Sequence, residues 1–258
     1  MLRILSSTWI SLFIIGLSVQ LSGQIVISEY SASNMNQFAD SYEKHEDWIE
    51  LHNQGTEDVD LRGYALSDKE DKPQKWVIPE SVIIPAGGYK VVLCSGRDEV
   101  RGRELHASFK LTQTKDNEYV VLTDPAGTVL ESQKLELTLL GHSRVKNDSG
   151  IWMVDHSPTP GAEATIGSFS GYTAAPSLSM SAGSYAAEIS VAMTNNEPNS
   201  RLRFTTDGNL PTESSAVYIN PINVSRTTVV KARAFSNDPS ILPGKIDYAT
   251  YLLSLIHI

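Results

Sequence analysis

The sequence predicts an all-β protein of two β-sandwich modules joined by a short linker, and three observations carry that expectation. Asp47-Trp48-Ile49-Glu50-Leu51-His52-Asn53 alternates with the period of two that a strand imposes: Ile49 and Leu51 share one face, Trp48, Glu50 and His52 the other. Tyr119 to Thr123 and Thr128 to Glu131 flank Asp124-Pro125-Ala126-Gly127. That predicts a β-hairpin, because Pro125 presets the turn and Gly127 accepts positive φ. Ala164 to Ala175 holds Gly, Ser, Thr and Ala without periodicity and separates two sets of alternating segments, so residues 165–175 are expected to form the linker.

Taken in order, residues 1–23 have the form of a signal peptide. Arg3 supplies a positive start, Trp9 to Val19 is mostly apolar but too short to span a bilayer with such flanks, and Leu21-Ser22-Gly23 ends in small residues. Cleavage is expected before Gln24, which makes the mature chain one unit more negative and places it outside the cell or at its surface. No membrane span is expected in the mature chain.

Ile25 to Tyr30 is short and β-branched, a strand. Ser31 to Glu46 is a long polar loop whose Phe38 and Tyr42 are expected to fold back on the sheet. After Asp47 to Asn53, further strands are expected at Asp60 to Asp68, Lys75 to Ile78 and Tyr89 to Cys94. Pro79 and Pro85 mark edge or turn positions, and the charged stretch Gly96 to His106 reads as a loop. Leu135 to Leu140 is one more apolar segment. In the second module Leu178 to Met180, Glu188 to Met193, Arg201 to Thr206 and Thr227 to Ser236 alternate, with Leu202 and Phe204 facing in and Arg201, Arg203, Lys231 and Arg233 facing out. Residues 253–258 spell the translation of a sequencing adapter, so the natural chain is expected to differ from Leu253 onward.

The succession from Asp47 to Asp68, with Trp76-Val77-Ile78-Pro79, Ile84-Pro85-Ala86-Gly87-Gly88-Tyr89, Phe109-Lys110-Leu111 and Pro158-Thr159-Pro160-Gly161, resembles the lamin-tail domain over residues 24–164. Phe204 to Thr212, Tyr218 and Val230 to Ala234 resemble the C-terminal β-sandwich of chitobiases and β-hexosaminidases over 176–252. The first resemblance implies an immunoglobulin-like sandwich. The second implies a module that lies outside a catalytic barrel and brings no active-site residues. Together they suggest a secreted bacterial multidomain protein. Proteins of this kind often resemble, further along, a spore-coat-H type of kinase-like domain, of which nothing lies within these residues.

The chemistry on offer is sparse. The formal charge of −9 and the lack of Lys/Arg runs argue against nucleic acid as a partner. Cys94 is the single cysteine and reads as a small buried strand residue. No zinc spacing links the histidines, and no Gly-x-Ser-x-Gly elbow supports a catalytic serine, so no catalytic residue is assigned and no cofactor is implied. Glu29, Asp47 and Glu50 approach one another if the first two strands pair, and three carboxylates can hold Ca²⁺ through oxygen; the alternative is that Glu50 pairs with a base. Asp68, Glu70 and Asp71 read as a solvated turn. Trp48, Trp76 and Trp152 sit inside apolar segments and read as core rather than as platforms for sugar rings. The expected role is non-catalytic adhesion, scaffolding or presentation at a bacterial surface, with an unknown protein or glycan as partner. The alternatives are a glycan-binding module and the accessory arm of a larger secreted enzyme.

Two cheap measurements check the ends of the chain. Amino-terminal sequencing of the exported protein is expected to start at Gln24, and long-read sequencing across codon 252 is expected to replace residues 253–258.

Overall fold

The computed structural model describes residues 24–164 and 169–253. The expected leader, part of the linker and most of the suspect tail lie outside the described residues. The first module runs through β1 (Ile25–Ser31), β2 (Trp48–Asn53), β3 (Val59–Asp60), β4 (Ala65–Ser67), β5 (Trp76–Val77), β6 (Ile83–Ile84) and β7 (Tyr89–Leu93). It continues with β8 (Glu99–Arg101), β9 (Glu104–His106), β10 (Tyr119–Thr123), β11 (Val129–Lys134), β12 (Ser143–Lys146) and β13 (Trp152–Asp155). A seven-stranded sheet, β13-β12-β1-β2-β7-β9-β8, faces a four-stranded sheet, β11-β10-β4-β5. Ile25, Ile27, Tyr30, Ile49, Leu51 and Val92 of the first sheet meet Leu66, Trp76, Val120 and Leu122 of the second in one apolar core. This is an all-β sandwich, as the alternation predicts, and an immunoglobulin-like one, as the resemblance implies.

β1 does not alternate strictly. It pairs antiparallel with β2 as Ile27↔Leu51 and then Glu29↔Glu50, with a bulge between Ile27 and Glu29. Two residues, Ser28 and Glu29, therefore oppose Glu50. Unbroken alternation from Ile25 and Ile27 would carry Glu29 into the core; the extra residue keeps it on the outer face and returns Tyr30 to the inside.

The outer face of the large sheet is not bare. Trp48 is fully buried although it faces away from the core, because the 31–46 loop folds over it. Phe38 packs on its ring at 6.2 Å and Gln37 accepts from its indole N–H (3.0 Å). Tyr42 lies between the Arg97 and Arg101 guanidinium groups, each 4.4 Å from the ring, and donates its hydroxyl hydrogen to Glu99 (2.7 Å). Both aromatics of the loop thus fold back, as the sequence predicts.

The stretch from Gly96 to His106, expected to be a loop, holds the hairpin β8–β9, and β9 pairs parallel with β7. Leu105 and His106 are fully buried, and Gly102 turns at φ 62°. The charges of this hairpin point outward and hid its apolar side. Leu135 to Leu140, by contrast, contains no strand.

The second module comprises β14 (Gly171–Tyr172), β15 (Ser177–Leu178), β16 (Gly183–Tyr185), β17 (Ile189–Val191), β18 (Met193–Thr194), β19 (Ser200–Thr205), β20 (Ala216–Val217), β21 (Ile222–Val224), β22 (Thr228–Ser236), β23 (Ile241–Leu242) and β24 (Asp247–Leu253). Its main sheet is β16-β24-β22-β19-β20. Leu202, Val230, Ala232 and Tyr251 fill its core. Arg233 turns away from that core and donates to the carbonyls of Gly244 (2.8 Å) and Pro243 (2.7 Å).

Residues 169–173, expected within a linker, are paired on both sides. Phe169 exchanges backbone hydrogen bonds with Val154 (2.7 and 2.8 Å), and β14 runs parallel to β23. Tyr172 Oη accepts from Leu139 N–H (3.2 Å), and Thr173 Oγ1 donates to Ala234 O (3.1 Å).

The Asn that ends β2 fixes the neighbouring turns. Asn53 is fully buried, donates from Nδ2 to the carbonyls of Glu57 (2.8 Å), Ile84 (3.0 Å) and Pro85 (3.1 Å), and accepts from Gly55 N–H (3.0 Å). Replacing Asn53 by Ala removes four hydrogen bonds to backbone, although Glu57 O keeps the Gln24 side chain and Pro85 O keeps Gly88 N–H, and is expected to destabilise the module by about 2 kcal/mol. Urea unfolding of N53A against the parent measures it; a change below about 1 kcal/mol would contradict the role given to this side chain.

Candidate functional site

The bulge and the far strands of the large sheet build a polar cleft on its outer face, about 480 Å³ in volume. Ser28 and Glu29 come from β1, Glu50 and His52 from β2, and Tyr89 from β7. The Asn147–Gly150 turn stands on one side, and Glu163, at the end of the segment that leaves β13, on the other. His52 and Tyr89, neighbours across the β2–β7 pair, stack with centroids 4.1 Å apart and planes 8° from parallel. Asn147 holds the turn by accepting from Ser149 N–H (3.0 Å) and Ile151 N–H (2.9 Å).

At the floor lie carboxyl groups without cations. Glu50 accepts from the Ser28 hydroxyl (2.7 Å) and from Gly161 N–H (2.5 Å), so the Pro158–Gly161 segment straps across β2 and buries it. Glu29 Oε1 accepts from the Ser143 hydroxyl, while Oε2 is enclosed without a partner among the described residues. Burial pushes the Glu29 carboxyl up to about 8, opposed by the Ser143 hydrogen bond and reinforced by the charges of Glu50 and Asp155. Burial likewise raises Glu50 to about 7, against the Ser28 and Gly161 hydrogen bonds. Burial lowers His52, against the pull of Glu163. Lys146 lines the cleft too, but it is bound by Glu131, whose second oxygen accepts from Ile27 N–H (3.1 Å), and it lies over the Trp152 ring at 5.0 Å.

Of the three residues predicted to share a cation, Glu29 and Glu50 come together and Asp47 does not. Asp47 precedes Glu50 by three residues, about 10 Å along an extended strand. Its Oδ1 accepts from Asn34 N–H (3.3 Å), and burial raises its carboxyl to about 6. Among the described residues no three His, Cys, Asp or Glu side chains are grouped to hold a metal ion. Among the described residues Glu50 pairs with no base; a hydroxyl and a backbone amide take that place. The sequence pointed to Glu29 and Glu50 but missed Ser28, Ser143, Asp155 and Tyr89. The break in alternation at Ser28-Glu29 was the available signal.

The remaining candidates are structural. Trp48 and Trp76 are buried, and Trp152 packs against Tyr30 at 5.0 Å. Cys94 is buried, which drives its thiol well up. Asp68, expected in a solvated turn, is buried and paired with Lys75 at 2.6 Å. His106 is buried between Ser95 (3.1 Å) and Glu104 (3.3 Å).

Comparison with known families agrees with this architecture. The family model of the lamin tail domain matches residues 18–135, and that of the chitobiase/beta-hexosaminidase C-terminal domain matches residues 180–240. The two matches fall in that order along the chain, and both families are immunoglobulin-like folds. β12 and β13 lie beyond the first matched stretch and complete its large sheet. A search of curated proteins returns no match.

The raised carboxyls set a pH dependence. Glu29 binds its proton more tightly folded than unfolded, so its contribution is complete below the unfolded value near 4.5 and is lost as pH rises through about 8. Thermal unfolding is expected to show a Tm several degrees lower at pH 9 than at pH 6. Glu29→Gln, which keeps the shape and removes the titration, is expected to raise the Tm at pH 9 and flatten that slope; an unchanged slope would refute the assignment.

Proposed function

We propose that this chain, a lamin tail domain followed by a chitobiase/β-hexosaminidase C-terminal domain, is an exported binding or structural protein displayed at a bacterial cell surface. Two immunoglobulin-like modules linked through paired backbone at residues 169–173 carry the reading. Such sandwiches offer rigid faces and loops to a partner, and the segment between them is itself hydrogen-bonded to each. The apolar leader supports export. The acidic balance keeps the surface solvated and gives no electrostatic footprint for phosphate backbones. Among the described residues no helix is long and apolar enough to cross a membrane. Fold alone does not define the partner, which has to be sought in the cleft and the loops.

The burial of Trp48 and Trp76 bears on the glycan alternative. A sugar ring stacks on an exposed π face, and these two faces are covered. Titration with chitin oligosaccharides is therefore expected to leave tryptophan fluorescence flat; a saturable shift would favour the glycan reading.

Export is tested directly. Expressed with its own leader in a bacterial host, the protein is expected in the medium or at the surface, digestible by protease added to intact cells. Retention in the cytoplasm with the leader uncut would overturn the reading.

A further inference from the structure

The outer-face cleft contains an arrangement of charge that the chain itself does not complete. Glu29 is 1% exposed, yet among the described residues its Oε2 has no hydrogen-bond partner, and protonating that oxygen would only exchange an unmet acceptor for an unmet donor. It shares the cleft with Glu50, and Glu163 and Asp148 stand at the rim. Among the described residues no Lys, Arg or His forms an ion pair with Glu29, Glu50 or Glu163; Lys146, the cation at hand, is held by Glu131. A partnerless buried carboxyl next to a second carboxyl is costly unless a positive group comes to it.

The shape narrows the guest. Among the described residues the carboxyls are not grouped to coordinate a metal ion. The stacked rings of His52 and Tyr89 line the same cleft beside the acids and offer it an aromatic surface, suited to an aliphatic stem ending in a cation. We propose that this cleft receives a primary ammonium group, held by Glu29 and Glu50 at the floor, with its alkyl stem against the His52–Tyr89 stack. A lysine side chain of a partner protein and a free polyamine share that chemistry. The inference rests on the reading of the chain as a binding protein and names the ligand class of its cleft.

The chemistry balances as an exchange of cations. An ammonium group arrives with its proton, the carboxyl it meets ionises, and the displaced proton leaves to solvent. The groups that set the exchange are Glu50 and His52 on β2, Ser143 and Lys146 on β12, Asp155 on β13 and Glu163 beyond it. Binding is thus expected to strengthen with pH across the range in which Glu50 and Glu29 titrate, near 7 and 8.

Isothermal titration of the mature protein with Nα-acetyl-lysine methylamide and with spermidine tests this. Nα-acetyl-norleucine methylamide and the Nε-acetylated lysine serve as uncharged controls. Saturable binding by either amine is expected, with neither control binding and affinity rising at least about tenfold from pH 6 to pH 8. Buffers of different ionisation heat should reveal proton release on the wild-type protein, which requires no variant. Glu29→Gln is expected to weaken binding about tenfold at pH 8 with an unchanged near-ultraviolet spectrum. The tighter of the two amines identifies the source. Equal binding of norleucine, no proton release, full affinity in E29Q, or no binding at millimolar amine would each overturn the proposal. Amine binding by a protein that stays in the cytoplasm would refute export and leave the cleft assignment standing; absent binding by a displayed protein would do the reverse.

Discussion

The register shift between β1 and β2 is the constraint on which the first module depends. A strand that enters with Ile25 and Ile27 facing the core and leaves with Tyr30 facing the core needs an odd residue between them. The bulge supplies it, and two consequences follow from one inserted residue. The core keeps its apolar lining on both sides of the shift. The outer face receives Ser28 and Glu29 together, opposite Glu50. Had β1 remained regular, a carboxyl would sit among Ile49, Leu51 and Val92 and the sandwich would not close.

The large sheet is covered on both faces, and by different means. Its inner face meets the second sheet through aliphatic side chains. Its outer face is covered by irregular backbone, the 31–46 loop over Trp48 and the Pro158–Gly161 strap over Glu50. The apolar end of that face buries an aromatic. The polar end buries acids, whose proton affinity rises because water is excluded and no cation replaces it. The cleft is the remaining uncovered space between strap and turn.

The sandwich architecture was legible because period-two alternation reports directly on a two-layer β-fold, as in Ile49 and Leu51 against Glu50 and His52. The hairpin at Asp124–Gly127 was legible for the same local reason, its turn chemistry. The β8–β9 hairpin was not, since its exposed side carries Glu, Asp and Arg while only Val100 and Leu105 mark the inside. Half of the candidate site was visible as acidic residues on neighbouring strands. The exclusion of Asp47 and the arrival of Ser143 and Asp155 depend on register and on strands distant in the chain, which spacing does not encode. The pairing of Phe169 with Val154 was hidden too, because a segment of small polar residues shows no alternation even where part of its backbone, residues 169–173, is hydrogen-bonded.

That engaged segment has a mechanical consequence. Phe169 is tied to β13 and Gly171-Tyr172 to β23, so a pull between the two modules does not simply straighten a slack tether. It loads backbone hydrogen bonds and the Tyr172 hydroxyl contact with Leu139 before any contour length is released. Such a joint would pass tension from one module to the other through those hydrogen bonds.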